Sequence, residues 1–365
     1  RLTGYGQELP IDIVPLFETI NDLTNAETVM AELYKSPGYK KHLKLRGNKQ
    51  VVMLGFSDGT KDGGYLKANW AIYLAKERLT EISRKNNIKI IFFDGRGGPP
   101  ARGGGKTHQF YASLGPDIES EEIQLTVQGQ TISSNFGTID SAQYNLEQLI
   151  SSGISNQILE GSKNRLSPEE KILLNDLADL SYRAYEDFKN NPKFLPYLEN
   201  VSTLNYYSKT NIGSRPSKRG KSSELVFTDL RAIPFVGSWS QLKQNVPGFY
   251  GVGTALKKYE ENGRFEELIA LYNNSKFFRS LIENSMMAMK KSNFDLTRYM
   301  KDDPEYGDFW QLIYDEFMTA KRLTLKLANH RELMENYPEG KASVEIRESI
   351  VLPLLTIQQN ALMRL

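Results

Sequence analysis

No cysteine occurs among the 365 residues, which excludes disulfides and thiolate metal sites. Histidine is nearly as scarce: His42, His108 and His330 are the only three, too few to favour a multi-histidine metal centre. Neither sign of charge dominates. Lys and Arg number 46 against 44 Asp and Glu, a net +2, so bulk charge gives no case for nucleic acid or a membrane surface. No apolar run approaches the ~20 residues of a membrane-spanning helix. The first residues do not read as a signal peptide, and a cytoplasmic location is the expectation. The chain opens on Arg1 and stops within a helical pattern at Leu365. Both ends look cut, so a piece of a longer protein is expected.

The most informative stretch runs from Ile88 to His108, IKIIFFDGRGGPPARGGGKTH. Its apolar start reads as a buried parallel strand. It empties into a loop with six glycines and the arginines Arg96 and Arg102. Glycine lets backbone N–H groups approach an anion, and arginine offers a forked donor for phosphate or carboxylate. The loop has neither GxxxxGK[ST] nor GxGxxG, so it is not a nucleotide P-loop or a dinucleotide fingerprint.

Around it, short apolar runs alternate with amphipathic helices. Ile11–Phe17, Val51–Ser57, Ile88–Phe93 and Ile123–Val127 read as strands. A helix capped by Thr24 and Glu27 runs to Tyr34, another covers Gly63–Lys85, and a third lies near Ser141–Ser152. This spacing predicts a parallel sheet or part of a (β/α) barrel. From Leu166 the text is mostly helical. Ser167-Pro168-Glu169-Glu170 is a strong helix start, and the helix runs to about Asn190. Asn211–Ser223 is a basic loop and Glu224–Thr228 one more strand. Helices follow at 251–262, 265–274, 277–291, 306–333 and 342–365.

In α/β barrels reacting groups sit at the C-terminal ends of strands. Glu18 follows the first strand, Asp58 the second and Arg96 the third. Two carboxylates without histidine or cysteine nearby suit a hard cation, Mg²⁺ or Mn²⁺. Position alone leaves open the plainer reading, that both are helix-start or loop acids. Lys61 is either an anion ligand or a solvated charge at a helix start. His108 reads as structural or as a helix cap, and the Met286–Met289 run as core packing. Arg215, Lys218, Arg219 and Lys221 form a compact basic loop without the interleaved aromatics a nucleic-acid site needs.

Taken together, six motifs resemble the C-terminal half of the phosphoenolpyruvate carboxylase family: PLFET (Pro15–Thr19), GFSDGTKDGG (Gly55–Gly64), GRGG…RGGG (Gly95–Gly105), TVQGQ (Thr126–Gln130), NIGSRPSKR (Asn211–Arg219) and LRAIP (Leu230–Pro234). The resemblance implies a helix-rich α/β fold, part of a (β/α)8 TIM-type barrel with a large additional helical region. It divides the chain at about residue 240, into barrel before and a helical region with part of an effector site after. It implies a tetrameric parent that carboxylates phosphoenolpyruvate with bicarbonate, giving oxaloacetate and phosphate. Carried over by motif, Glu18 and Asp58 hold the metal, Mg²⁺ or Mn²⁺. Arg96, Gly97, Gly98 and Arg231 fall at substrate-binding positions. Lys61 lies near the bicarbonate, and Arg102 serves catalysis and the feedback inhibitor. Lys291 and Arg347 fall at positions for an aspartate or malate inhibitor.

The chain departs from that pattern in several places. The family's histidine-proline-threonine motif and a further N-terminal substrate arginine are not among these residues. Lys243 stands where the family has an arginine after LRAIP, which keeps the charge and loses the fork. The family's inhibitor-binding C-terminal asparagine is missing. Pro99-Pro100-Ala101 replaces threonine-valine-glycine and should stiffen the loop. The expectation is therefore a carboxylase fragment without activity of its own. The alternatives are a non-catalytic module that binds a dicarboxylate and oligomerises, or a different metal-dependent barrel enzyme.

Overall fold

Phe17, Leu54, Asp94 and Leu125 lie side by side across a parallel sheet, and that row positions the site. A computed structural model of the chain describes residues 11–154, 161–207 and 225–364. Strands β1 (Leu16–Phe17), β2 (Lys49–Gly55), β3 (Lys89–Gly95) and β4 (Ile123–Leu125) pair in chain order. Helices α1 (Ile20–Lys35), α2 (Pro37–Leu45), α3 (Phe56–Gly63), α4 (Tyr65–Lys85) and α5 (Thr107–Ala112) fill the crossovers. The result is a helix-rich α/β fold around a small parallel sheet.

Several boundaries differ from the sequence reading. The strand expected over Ile11–Phe17 shrinks to Leu16–Phe17: Pro15 has no amide to donate, and Ile11 and Val14 are exposed. The first capping box uses Thr19 and Asp22, not Thr24 and Glu27. This earlier start brings Ile20, Leu23, Ala26, Met30 and Tyr34 onto one buried stripe, while the Thr24 hydroxyl donates inside the helix to the Ile20 carbonyl. The helix expected from Gly63 is broken at Gly64, whose φ is +75°. A Cβ there would meet the Tyr185 ring at 2.9 Å, so only glycine both turns the chain and lets Tyr185 approach.

After α6 (Gln130–Phe136) and α7 (Ile139–Ile154), helix α8 (Pro168–Lys189) carries the expected Ser167–Glu170 capping box. Next come α9 (Phe194–Val201) and α10 (Leu204–Tyr207). Within the expected strand Glu224–Thr228, Glu224 lies outside the described residues. The rest is no strand: Phe227–Asp229 form a tight turn closed by Asp229 N–H on the Val226 carbonyl. The remainder is α11 (Ala232–Gln241), α12 (Val252–Glu261), α13 (Phe265–Asn274), α14 (Lys276–Lys290), α15 (Gly307–Ala328) and α16 (Pro338–Leu362). One buried apolar cluster runs from Phe17 to Leu333 and takes in Met286 and Met289.

Where α15 packs on α12, Glu316 is buried. It accepts from the Gly251 and Thr254 amides at 2.9 and 3.2 Å and from the Thr254 hydroxyl at 2.6 Å. Burial pushes its pKa up to about 7. The unfolded chain loses this proton near pH 4.5 and the folded chain near 7, so the native state is penalised as pH rises between them. Glu316→Gln should remove the penalty. Relative to the variant, the wild type should lose roughly 2–3 kcal/mol of unfolding free energy between pH 4.5 and 7.5, measured by urea titration at each pH.

Candidate active site

The sheet row ends in the residues singled out by sequence. Glu18 follows β1 directly, and its side chain lies across Gly55 at the end of β2. A Cβ on Gly55 would sit 2.7 Å from Glu18 Cγ and 3.2 Å from Oε1. Asp58 is half-buried in the first turn of α3, the turn that continues β2. Arg96 follows β3, where the Thr126 hydroxyl donates to its carbonyl at 2.7 Å. Among the described residues no group of three or more acids and histidines gathers as a metal cage. A pair of carboxylates still suits a hard divalent ion that fills its shell with water and substrate oxygens.

The glycine loop is folded on itself. Gly97 N–H donates to the Arg102 carbonyl at 2.6 Å, Arg102 and Gly104 to Pro99, Gly103 to Pro100 and Gly105 to Gly98. The Lys106 amide reaches Asn284 Oδ1 at 3.4 Å. These amides are therefore spent inside the protein, and side chains are left to meet a ligand. Gly103 has φ +78°, and a Cβ there would lie 2.6 Å from Phe56. It lets the loop settle on the ring that also sits under Arg96.

Arg96 is 4% exposed. Its guanidinium centre lies 4.1 Å from the Phe110 ring centroid, 5.0 Å from Phe56 and 5.7 Å from Tyr111. Its Nε and Nη1 are buried without a hydrogen-bond partner. Orphaned donors on a buried cation are costly unless a ligand completes them. Arg102 curls over Gly97; its Nε donates to Ser57 Oγ at 3.2 Å and its Nη2 to Gln128 Oε1 at 2.6 Å. Burial lowers its pKa and the charge of Asp58 pulls it back up, which ties the loop to the α3 carboxylate. A cleft of about 340 Å³ opens beside these groups, lined by Arg96, Gly97, His108, Gln128, Thr131 and Tyr337 among others.

Other sequence candidates lie further off. Lys61 is buried with its ammonium 4.2 Å from the Phe227 centroid, on the α8 side of α3. Arg231 precedes α11 and has a buried, unpartnered Nε. Lys291 caps α14, where the positive charges of Arg347 and Lys243 reach it; Lys243 Nζ lies 2.5 Å from Glu348 Oε1. Pro99, Pro100 and Ala101 share one small crevice with Lys291, so the glycine loop spans both places. His108 is half-buried, and burial lowers its pKa. The basic loop with Arg215, Lys218, Arg219 and Lys221 lies outside the described residues.

The sequence reading passed over Asp94, Lys76 and Tyr111. Asp94 is fully buried, and its Oδ2 accepts from Lys76 Nζ and the Tyr111 hydroxyl, each at 2.7 Å. The signal was an acid ending an apolar strand. Glu283 was missed as well: it accepts from Lys106 at 3.2 Å and from Asn336 at 2.6 Å, pinning the far end of the loop.

Comparison with known proteins identifies the family. Residues 2–365 match the family model described as phosphoenolpyruvate carboxylase. The chain is 36% identical over 365 residues to the phosphoenolpyruvate carboxylase of Corynebacterium diphtheriae, an alignment covering 97% of this chain and 40% of that protein. Against that of Corynebacterium efficiens the figures are 35% identity over 374 residues, 100% and 40%. The chain thus spans about 40% of the length of the curated relatives it matches.

Burial, then the positive charges of Arg347 and Lys243, lower the Lys291 pKa to about 8. An anion settling there would raise it toward its ordinary 10.5, so binding should take up a proton between pH 8 and 10. Titrating L-aspartate at pH 9 by calorimetry, in two buffers of different ionisation enthalpy, should show net uptake that Lys291→Gln abolishes. Binding without proton uptake would put the anion elsewhere.

Proposed function

The chain belongs to the phosphoenolpyruvate carboxylase family, and from that premise we propose that it forms the metal- and phosphate-binding part of a carboxylase, within a (β/α) barrel that further polypeptide completes. Phosphoenolpyruvate and bicarbonate are the proposed substrates and oxaloacetate and phosphate the products. The observation that carries the reading is Arg96: a buried guanidinium with two unpartnered nitrogens at the strand ends that bear Glu18 and Asp58. A fork on an aromatic bed is a donor kept for an oxyanion.

In this reading Arg96 binds the phosphoryl group. Arg102, on the same loop, faces the charge that develops as bicarbonate attacks phosphorus and the enolate leaves. A divalent ion held by Glu18 and Asp58 would supply Lewis-acid stabilisation of that charge. The folded loop shields the enolate from water and stray protons while carboxyphosphate breaks down to phosphate and the carbon dioxide that the enolate takes up. Lys61 is assigned to the bicarbonate side. No histidine-proline-threonine motif occurs in the sequence, so proton handling is assigned elsewhere and this chain alone should not turn over.

A second function belongs to the cluster of Lys291, Arg347 and Lys243. Three cations against Glu348 suit a dicarboxylate, and supports the reading of an aspartate or malate effector site shared with Arg102. A tetrameric parent remains part of this proposal.

Two measurements test it. Mn²⁺ titration followed by electron paramagnetic resonance should show saturable binding, weakened at least ~10-fold by Glu18→Gln or Asp58→Asn with an unchanged circular dichroism spectrum. Calorimetry should show phosphoenolpyruvate binding that Arg96→Lys weakens about 10-fold, a bidentate contact becoming a point charge. The same samples should yield no oxaloacetate in a malate-dehydrogenase-coupled assay. Unchanged affinity in Arg96→Lys would remove Arg96 from the phosphate, and oxaloacetate from the isolated chain would overturn the assignment of proton handling elsewhere.

A further inference from the structure

Asp94 is a carboxylate that the proposed reaction does not use, yet it is the most buried acid beside the site. Its Oδ2 partners come from helices flanking the sheet, Lys76 from α4 and Tyr111 from α5. Its Oδ1 has no partner. The Lys76 ammonium lies 5.0 Å from the Phe92 centroid, 5.6 Å from Phe110 and 5.8 Å from Tyr111. Phe110 and Tyr111 also form part of the bed under Arg96. Two buried cations therefore share two aromatic rings, and Tyr111 touches both systems: its hydroxyl donates to Asp94 and also hydrogen-bonds the Arg96 side chain, whose guanidinium lies over its ring.

The charges do not close. Lys76 and Asp94 cancel, leaving the charge of Arg96 without a paired carboxylate among the described residues. The pair also removes the partner nearest to Arg96 in sequence: an aspartate two residues away would otherwise draw the guanidinium inward. With Oδ2 committed to Lys76 and Tyr111, Arg96 makes no bond to Asp94 and keeps Nε and Nη1 unspent. A pair serving stability alone would need neither the tyrosine hydroxyl nor the shared rings, and apolar packing commonly replaces buried pairs without loss.

We propose that Asp94, Lys76 and Tyr111 are positioning residues that hold the Arg96 guanidinium on its aromatic bed, open to an oxyanion. The three act through Arg96 and do not touch the ligand. The inference rests on the reading of Arg96 as the phosphate-binding group, and it adds the machinery that keeps that group available.

Tyr111→Phe keeps the ring and removes the hydroxyl that bonds both Asp94 and Arg96. In the 365-residue chain it should weaken phosphoenolpyruvate binding by about 10-fold, within the range over which contacting residues couple. Its melting temperature should stay close to that of the wild type. In an Arg96→Gln background the same substitution should cost nothing further, because the group it acts through is gone. Equal losses in both backgrounds, or none in the single variant, would overturn the proposal.

A ligand-free signal separates this from the parent reading. The Nε–H resonance of Arg96 in ¹⁵N-arginine-labelled protein should be resolved and slowly exchanging, and should broaden or shift in Tyr111→Phe and in Asp94→Asn. If the wild type binds no phosphoenolpyruvate, the phosphate reading fails while this resonance still decides the positioning. A resonance unmoved by both substitutions refutes it.

Discussion

The site depends on one constraint, the parallel register that aligns Phe17, Leu54, Asp94 and Leu125. Parallel strands all end on one side, so whatever follows each strand meets its neighbours there. Glu18 follows one end, α3 with Asp58 grows from the next, and Arg96 and the glycine loop leave the third. Slipping one strand by a residue would turn its side chains to the other face and separate the carboxylates from the arginine. The register is held where it matters: Val52, Leu54, Ile90 and Phe92 are buried, and Thr126 ties β4 to β3 through the Asp94 and Arg96 carbonyls.

The loop shows why glycine content is ambiguous. A run of glycines next to arginines suggests backbone amides cradling an anion, yet here most of those amides bond within the loop and to α14. Glycine serves close approach instead: Gly103 lies against Phe56 and Gly104 against the Gly98 carbonyl. What this packing leaves for a ligand is the side chains of Arg96 and Arg102. The donor is then charged and forked, not a ring of neutral dipoles, and its strength is set by what surrounds the guanidinium.

The sequence made the alternation of strands and helices legible, along with the Ser167 cap and the helices after Gly251. Those signals are local: period, cap residues and apolar runs. It misled where two local signals compete. Thr24 and Glu27 have capping-box spacing, but Thr19 wins because starting there turns Ile20 and Leu23 inward. Gly64 breaks a continuous helical pattern because Tyr185, remote in sequence, occupies the place of a side chain. The strand ends were readable because loops at those ends carry polar residues in a fixed order. The Asp94 cluster was not readable, because its three members come from separate elements and each alone resembles an ordinary buried or surface residue.

Charge burial links the two ends of the loop. Arg96 is buried with no bonded carboxylate among the described residues, and Lys291, half-buried beside Arg347 and Lys243, has Glu348 as the opposing charge. Burying a net cation in this way costs stability in the empty protein. Under the proposed reading, an anion bound at either place would offset desolvation already spent in folding. Between them lies a loop closed by its own hydrogen bonds, with Arg102 at one side and Pro99–Ala101 against the Lys291 crevice. Under the proposed reading, an anion drawing on one end would change the place available at the other through this one segment.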